Sequence, residues 1–459
     1  MATTASSAPR AKTAPGLRQL VPGPFGPLAR SRRDPLGFMV DASRRYGDVF
    51  RLRLGPLVFH QVTHPDGVKR VLLDNQRNYP RSWMYGRTRV VVGEGLVTTE
   101  GAPWRRLRRL AQPAFHHRRI AALAGVMTEA IGSMLSHWRD LAAAGEPVDV
   151  AAEFGRLTLN IVGRALLGID LGGEADRIGA AVTESLGYLE YRVNTLIPVP
   201  YFIPTARNRR AHRAIATFDA VVADILASRR RAPGQDRGDL LSILLEVRDE
   251  ETGTSLSDRE LRDQIVTFIG AGHETTAVAL AWTFYLLSLH PDADSRLRDE
   301  VDGALDGRVP TIDDLPNLDF TRRVIEESLR IYPPVYGTVR DAREEDEIGG
   351  FRIPARTMVV LAPYVTHRHP EFWPDPERFD PDRFLPEAAA ARPRFAWYPF
   401  LAGPHQCIGQ EFAMMEATLA VAMVAQAFRL RLAPGAVVEP RPMLTLRPRG
   451  GIPMILEAR

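Results

Sequence analysis

The chain runs to 459 residues, 45% of them hydrophobic, with a formal net charge of +4 and one cysteine. So small an excess of charge, with no nucleic-acid-binding module in sight, excludes a nucleic-acid-binding class. A single cysteine excludes internal disulfides and points to a reducing cytoplasm, while the length and apolar content allow a large core. The basic residues are nearly all arginine, lysine standing only at Lys12 and Lys69, which reads as the imprint of a GC-rich genome rather than of function.

Residues 1–20, rich in Ala, Ser, Thr and Pro, are expected to be a disordered tail without an apolar run long enough to span a bilayer. Residues 21–459 then read as one domain. Val49 to Thr63 alternates around Gly55-Pro56 as a β-hairpin does, and the following HPDGVKRVLLD is helical in pattern. Arg81 to Leu96, which includes Tyr85, has no clear period. In the basic run WRRLRRLAQPAF, Trp104 and Arg108 are four apart and share one helix face. Arg105, Arg106 and Arg109 read as a solvated cationic face or a docking surface for an acidic partner. Residues 120–240 are mostly helical, interrupted by the Pro-rich stretch Asn194 to Thr205, which is expected to act as a mobile lid.

The longest helix is expected from about Ser257 to His290. Ser257 and Glu260 form a capping box at its start and Pro291 follows its end. Its centre, IGAGHETTAVA, places two glycines, a Glu and two Thr in an otherwise apolar helix, where each Gly costs about 1 kcal/mol relative to Ala. A rule broken in mid-helix marks a functional site; the plainer alternative is a glycine-mediated helix crossing with a back-bonded threonine. Further on, Glu327 and Arg330 lie one helical turn apart, and IGGFRIPARTMVVLAPYVTHR alternates as strands do.

The only cysteine, Cys407, stands in FLAGPHQCIG (Phe400 to Gly409), a loop that opens into a long amphipathic helix. A helix N-terminus favours a thiolate, the form that binds metal. Gly403 and Gly409 suit a close approach of backbone to a flat ligand, and His405 is placed to donate to an anionic group on it. F-x-x-G-x-H-x-C-x-G followed by F-A-x-x-E (Phe412, Ala413, Glu416) resembles the haem-binding loop of the cytochrome P450 superfamily. The resemblance extends to A-G-x-E-T-T at Ala271, Gly272, Glu274, Thr275 and Thr276, and to the E-x-x-R and W-x-x-x-R pairs. It covers the chain from about residue 21 onward.

The resemblance implies a mainly α fold with small β-sheets (α+β), the cytochrome P450 fold, with haem between the long central helix and the Cys-loop helix. Cys407 is then the iron ligand of haem b, with Phe400 packed beside the sulfur and Gly409 following it. Trp104, Arg108, Arg340 and His405 hold the propionates; Ala271 lies where the helix makes room for O2, and Thr275 with Glu274 relays protons. Glu327, Arg330 and an arginine from a later loop form a structural triad. The motifs PERF and PDRF offer Arg378 and Arg383, and Arg383, followed by LPE, is the choice. Tyr85, Val266, Phe268, Ile269, Ala271, Val335, Val339 and Leu444 are expected to line an apolar pocket. The activity implied is a cytoplasmic, monomeric monooxygenase, without a membrane anchor, that oxidises a C–H bond of an apolar, terpenoid-like molecule in secondary metabolism. It uses O2 and electrons from a separate ferredoxin or flavodoxin with its NAD(P)H-dependent reductase. Rival readings are a fatty-acid or polyketide hydroxylase, a peroxygenase or non-oxygenating haem-thiolate enzyme, and a non-catalytic docking protein of the same fold.

Overall fold

The computed structural model describes residues 11–17, 30, 31, 33–168, 175–195, 197–231 and 238–459. The stretch expected as one domain divides into two compact units. The first comprises Met1–Ser82, Tyr336–Glu377 and Ala391–Gln406; the second comprises Trp83–Val335, Arg378–Ala390 and Cys407–Arg459.

The first unit is built on strands. Part of the expected tail is not a tail: β1 (Lys12–Thr13) and β2 (Gly16–Leu17) are paired strands, while residues 1–10 and 18–20 lie outside the described residues. Six short alternating segments complete the set: β3 (Val49–Leu54), β4 (Leu57–Val62), β5 (Thr338–Asp341), β6 (Asp346–Ile348), β7 (Phe351–Ile353) and β8 (Met358–Leu361). A five-stranded sheet runs β2-β3-β4-β8-β5, and β1-β7-β6 forms a second. The expected hairpin is β3–β4, in register from Val49 opposite Val62 to Leu54 opposite Leu57, turning on Gly55 at φ 57°. One face carries Val49, Val62, Val359 and Leu361 into a core shared with Phe395 and Tyr398. α1 (Pro35–Tyr46) starts at Asp34, whose carboxylate accepts from the Gly37 N–H at 2.9 Å. Asp346 at the head of β6 accepts from Arg70, Asn75 and Tyr79; burial pushes its pKa up, but these donors bring it down to about 2.

The second unit is helical. Its main members are α2 (Gly101–Ala111), α3 (Ala124–Ala144), α4 (Val150–Leu167), α5 (Ala175–Asn194), α6 (Ala206–Arg231), α7 (Leu240–Glu246), α8 (Asp258–Leu289), α9 (Pro291–Leu305), α10 (Asp319–Ile331) and α11 (Gln410–Ala427). α8 is the expected long helix and opens with both hydrogen bonds of the Ser257–Glu260 capping box. It packs on α4, α10 and α11 and is buried on nearly every side. Gly272 takes part in the α4 crossing, since a Cβ there would lie 3.1 Å from Val162 Cγ2, and Thr158 Oγ1 donates to the His273 carbonyl at 3.0 Å. Near its other end Trp282 stacks on Tyr332 at 4.0 Å and donates to the Leu446 carbonyl at 2.7 Å, which fixes the turn after residue 442. By length and composition alone, one stretch among the described residues, His117–Ala144, is apolar enough to cross a membrane. Met127, Ile131, Leu135 and Trp138 of that stretch are buried in the protein.

One buried group sets a pH dependence. Glu416 of α11 is fully buried, and neither carboxyl oxygen has a hydrogen-bond partner among the described residues. Burial therefore raises its pKa well above the ordinary value. The folded chain then keeps a proton that the unfolded chain releases, so stability falls as pH rises from the ordinary carboxylate range through the raised value. Glu416→Gln is expected to remove this slope, up to about 1.4 kcal/mol per pH unit while the two states differ by one proton. Urea midpoints of both proteins across neutral pH check it. Parallel wild-type and variant curves would show that Glu416 does not titrate on unfolding.

Candidate functional site

In the centre of α8 the burial pattern breaks. Val266, Phe268 and Ile269 are 4%, 7% and 5% exposed, yet Ala271 is exposed and Thr275 half-buried, while Thr276 to Leu280 are buried again. With about 100° between successive residues, Ala271 and Thr275 share one stripe and Val266 and Ile269 lie nearly opposite it. Val266 and Ile269 thus do not share the accessible stripe, a correction to the expected pocket set. Phe268 and Ile269 line a small apolar void with Leu166, Leu167, Leu241 and Leu244, and the Phe268 ring also meets Phe115 at 5.4 Å.

Thr275 Oγ1 donates to the Ala271 carbonyl at 2.7 Å. With Gly272 against Val162, both elements of the plainer sequence alternative are present, alongside the opening in the stripe. Glu274 is 4% exposed, and its Oε1 accepts from Thr445 Oγ1 and Arg447 Nε, while Oε2 has no hydrogen-bond partner among the described residues. Consecutive helical residues do not face each other, so Glu274 and Thr275 are not joined here. Sequence reasoning missed Arg447, which stands 173 residues from its carboxylate with no local pattern to join them.

Trp104 is 8% exposed on α2, and Arg108 lies one turn further on the same side. Burial lowers the Arg108 pKa and the nearby Cys407 charge raises it, so this guanidinium and the cysteine are electrostatic neighbours. The other arginines of α2 do not form a free cationic face. Arg106 donates to Glu260 at 2.6 Å, and Arg109 to Asp249 at 3.0 Å and to Glu251 at 2.7 Å. Arg105 remains exposed.

Cys407 is accessible to solvent although protein surrounds it closely. Burial pushes its thiol pKa up, ahead of the Gly409 N–H and the Arg108 charge, which push it down. The helix N-terminus therefore does not by itself yield a thiolate, as the sequence suggested; desolvation wins until a cation compensates it. Gly409 has φ −91°, and a Cβ on it would meet only Phe115 at 3.8 Å.

On α10, Arg330 and Glu327 are both fully buried and joined by two hydrogen bonds of 2.6 and 2.7 Å. Arg383 Nε stands 3.5 Å from Glu327 Oε1. The Arg378 side chain is 67% exposed, and its carbonyl accepts from Arg330 at 3.1 Å. Arg383, not Arg378, is thus the third side chain at Glu327. Tyr85 and Val335 are half-buried, and Leu444 is 38% exposed.

The first unit holds the remaining site residues. Arg340 on β5 is 2% exposed. Its Nη1 reaches Thr338 Oγ1 at 3.3 Å and the Val339 carbonyl at 3.4 Å; among the described residues Nη2 has no hydrogen-bond partner, and no carboxylate forms an ion pair with it. A buried cation without an anion is costly, so the residue fits an anionic group supplied by a ligand. Val339 pairs with Val360 and is half-buried, as are Phe400 and His405. Gly403 takes φ +68°, and a Cβ there would lie 1.9 Å from the Leu72 carbonyl. Its freedom serves a chain–chain approach rather than the expected ligand.

In the second unit, a thiol held beside a guanidinium and a buried helix that opens around Ala271 suit a metal-bearing cofactor; in the first, Arg340 by itself suits an anionic group. A sequence model of the family described as Cytochrome P450 matches residues 21–453. Cyclooctatin synthase of Streptomyces melanosporofaciens is 39% identical over 93% of this chain and 92% of its own length. Pentalenene oxygenase of Streptomyces avermitilis is 36% identical over 95% of each. Among solved structures, the cytochrome P450DA heme domain aligns with a TM-score of 0.88 at 28% identity, over 98% of this chain and 99% of that one. The chain belongs to the cytochrome P450 family. It is accordingly a monooxygenase whose cofactor is haem b, and its chemistry requires O2, an apolar substrate and electrons from redox partners.

Proposed function

We propose that the protein oxidises a C–H bond of a cyclic, terpenoid-like hydrocarbon in secondary metabolism, as a cytoplasmic monomer reduced by a ferredoxin or flavodoxin and its NAD(P)H-dependent reductase. The observation that carries the reading is the opening in α8 between the buried runs 263–269 and 276–284, where Ala271 is exposed and Gly270, Gly272, His273 and Thr275 are half-buried. Relatives bearing the names cyclooctatin synthase, cyclooctat-9-en-7-ol 5-monooxygenase and pentalenene oxygenase support the substrate class.

Haem, when bound, supplies the activation of O2 and the oxidation of the C–H bond. In this reading Cys407 gives up its proton to become the iron ligand, and Arg108 and the Gly409 N–H stabilise the resulting charge. Trp104 and Arg108 in the second unit, and Arg340 and His405 in the first, would be the residues to hold the haem carboxylates, and Phe400 is the residue that the family resemblance assigns to the sulfur. Thr275 Oγ1, now donating to Ala271, rotates to hold a proton over the open stripe. Glu274 has to leave Arg447 before its carboxylate reaches that hydroxyl. Glu327, Arg330 and Arg383 serve as a structural brace. Tyr85, Phe268, Ala271, Val335, Val339 and Leu444 remain the pocket candidates.

Binding of candidate substrates to the haem protein is read from the low-to-high-spin shift of its absorbance. Cyclic terpene hydrocarbons are expected to give it; a shift with linear fatty acids and none with terpenes would overturn the substrate class. Thr275→Ala is expected to keep the shift and continued NADPH use while product per NADPH falls about tenfold or more and peroxide rises. Wild-type coupling in that variant would remove Thr275 from the proton route.

A further inference from the structure

The stripe of α8 that opens at Ala271 does not end there. At about 100° per residue, Thr267 and Gln264 lie one and two turns toward the N-terminus and within about 40° of Ala271. They follow it on the same stripe, about 6 and 10 Å along the axis. Unlike Ala271 they are covered: Gln264 is 1% and Thr267 4% exposed. The cover is the segment 93–99. The Leu96 N–H donates to Gln264 Oε1 at 3.4 Å, and a Cβ on Gly95 would run into Thr267 Oγ1.

Beneath this cover two polar groups are left over. Among the described residues neither Gln264 Nε2 nor Thr267 Oγ1 has a hydrogen-bond partner. A helical threonine can bond the carbonyl one turn back, as Thr275 and Thr283 do here at 2.7 and 2.8 Å. Thr267 does not. Nor does the covering segment need either group. Thr98 Oγ1 donates to the Gly93 carbonyl at 2.7 Å, Thr99 Oγ1 to that of Gly95 at 2.9 Å, and the Glu94 N–H to Asp263 at 2.7 Å. A buried donor left unmade is destabilising. Two of them in succession along an accessible stripe suit a ligand that brings the missing partner.

We propose that Gln264 and Thr267 form a polar subsite for a neutral oxygen, hydroxyl or carbonyl, on the substrate. Gln264 Nε2 donates to that oxygen, and Thr267 Oγ1 donates to it or, for a hydroxyl, accepts from it. The cations nearby set the charge of the group. Arg262 lies on the opposite side of α8 and is paired with Asp219 at 2.7 Å and Asp263 at 3.0 Å, and Arg89 is paired with Glu94 at 3.6 Å. Neither is left over for a carboxylate, so an uncharged oxygen fits. On the terpenoid reading, on which this subsite rests, the substrate is therefore already oxygenated when it arrives, by water capture at ring closure or by an earlier hydroxylation. The carbon over Ala271 then stands about 6–10 Å from that first oxygen.

The test reads dissociation constants from the low-to-high-spin shift of the haem protein with two ten-carbon pairs, p-menthane with menthol and decane with 1-decanol. The ratio of menthol to p-menthane affinity is expected to fall about fivefold in Thr267→Val and about tenfold or more in Gln264→Leu/Thr267→Val, through menthol alone. Thr267→Ser keeps the hydroxyl and is expected to keep the ratio. Without ligand, Thr267→Val is expected to hold the wild-type urea midpoint, because its hydroxyl has no bond to lose. Unchanged ratios in Thr267→Val and the double variant would overturn the subsite and give both groups to buried water. A clear drop in the ligand-free midpoint of Thr267→Val would overturn it too, since the hydroxyl would then already be bonded. The substrate class is separable. Shifts with the linear pair and none with the menthane pair would overturn the terpenoid reading, while the ratio of 1-decanol to decane would still decide the subsite.

Discussion

Glu327→Ala is expected to destabilise the folded protein by about 3–5 kcal/mol, because it strands a buried guanidinium. Arg330 is fully buried and loses two short hydrogen bonds at once, and Arg383 loses its nearest carboxylate. The Asp380 N–H, which donates to Glu327 at 2.9 Å, is orphaned as well. Against a typical total of about 5–15 kcal/mol this leaves little margin. Urea unfolding gives the size, and haem content after purification should fall in parallel. Glu327→Leu/Arg330→Met is expected to recover much of the loss, since removing both charges leaves neither unpaired. A single-variant loss below about 1 kcal/mol would mean that water reaches Arg330 and that the brace is ornamental.

Cys407→Ala carries the largest effect on activity. The variant is expected to lose the thiolate-type carbon monoxide band and to fall to background turnover, while Arg340 and His405 still retain some haem. Cys407 is the only sulfhydryl in the chain, so no second thiol can substitute. Alanine is the cleaner replacement, because a serine oxygen can itself ligate iron. An unchanged carbon monoxide spectrum would remove Cys407 as the ligand and with it the proposed site.

How much of this was legible in the sequence depends on how locally each feature is encoded. The Ser257–Glu260 capping box and the β3–β4 hairpin rest on residues close in sequence, and both appear where the pattern put them. The choice of Arg383 over Arg378 came from motif context, and the chain places Arg383 at Glu327. Features that depend on distant partners were not readable. Arg106 and Arg109 look like a free cationic face until α8 and the loop before it supply Glu260, Asp249 and Glu251. Glu274 looks like a free proton carrier until Arg447 and Thr445 meet it. Val266 and Ile269 were assigned by composition, whereas helical phase turns them away from the accessible stripe. The thiol of Cys407 shows the same limit in energetic form: a helix N-terminus is visible in sequence, but desolvation by the rest of the chain is not.

The two glycines around Cys407 are alike on paper and unlike in their evolutionary freedom. At Gly403 the left-handed φ and the Leu72 carbonyl exclude every other side chain on two separate counts. At Gly409 neither barrier exists within the chain itself: φ is ordinary, and a methyl group would find only van der Waals contact with Phe115. Descendants of this sequence are therefore held to glycine at 403 by the fold alone, under any function or none. If glycine is also kept at 409, the pressure comes from what the loop binds, and its loss there would be the earlier trace of a lineage abandoning its cofactor.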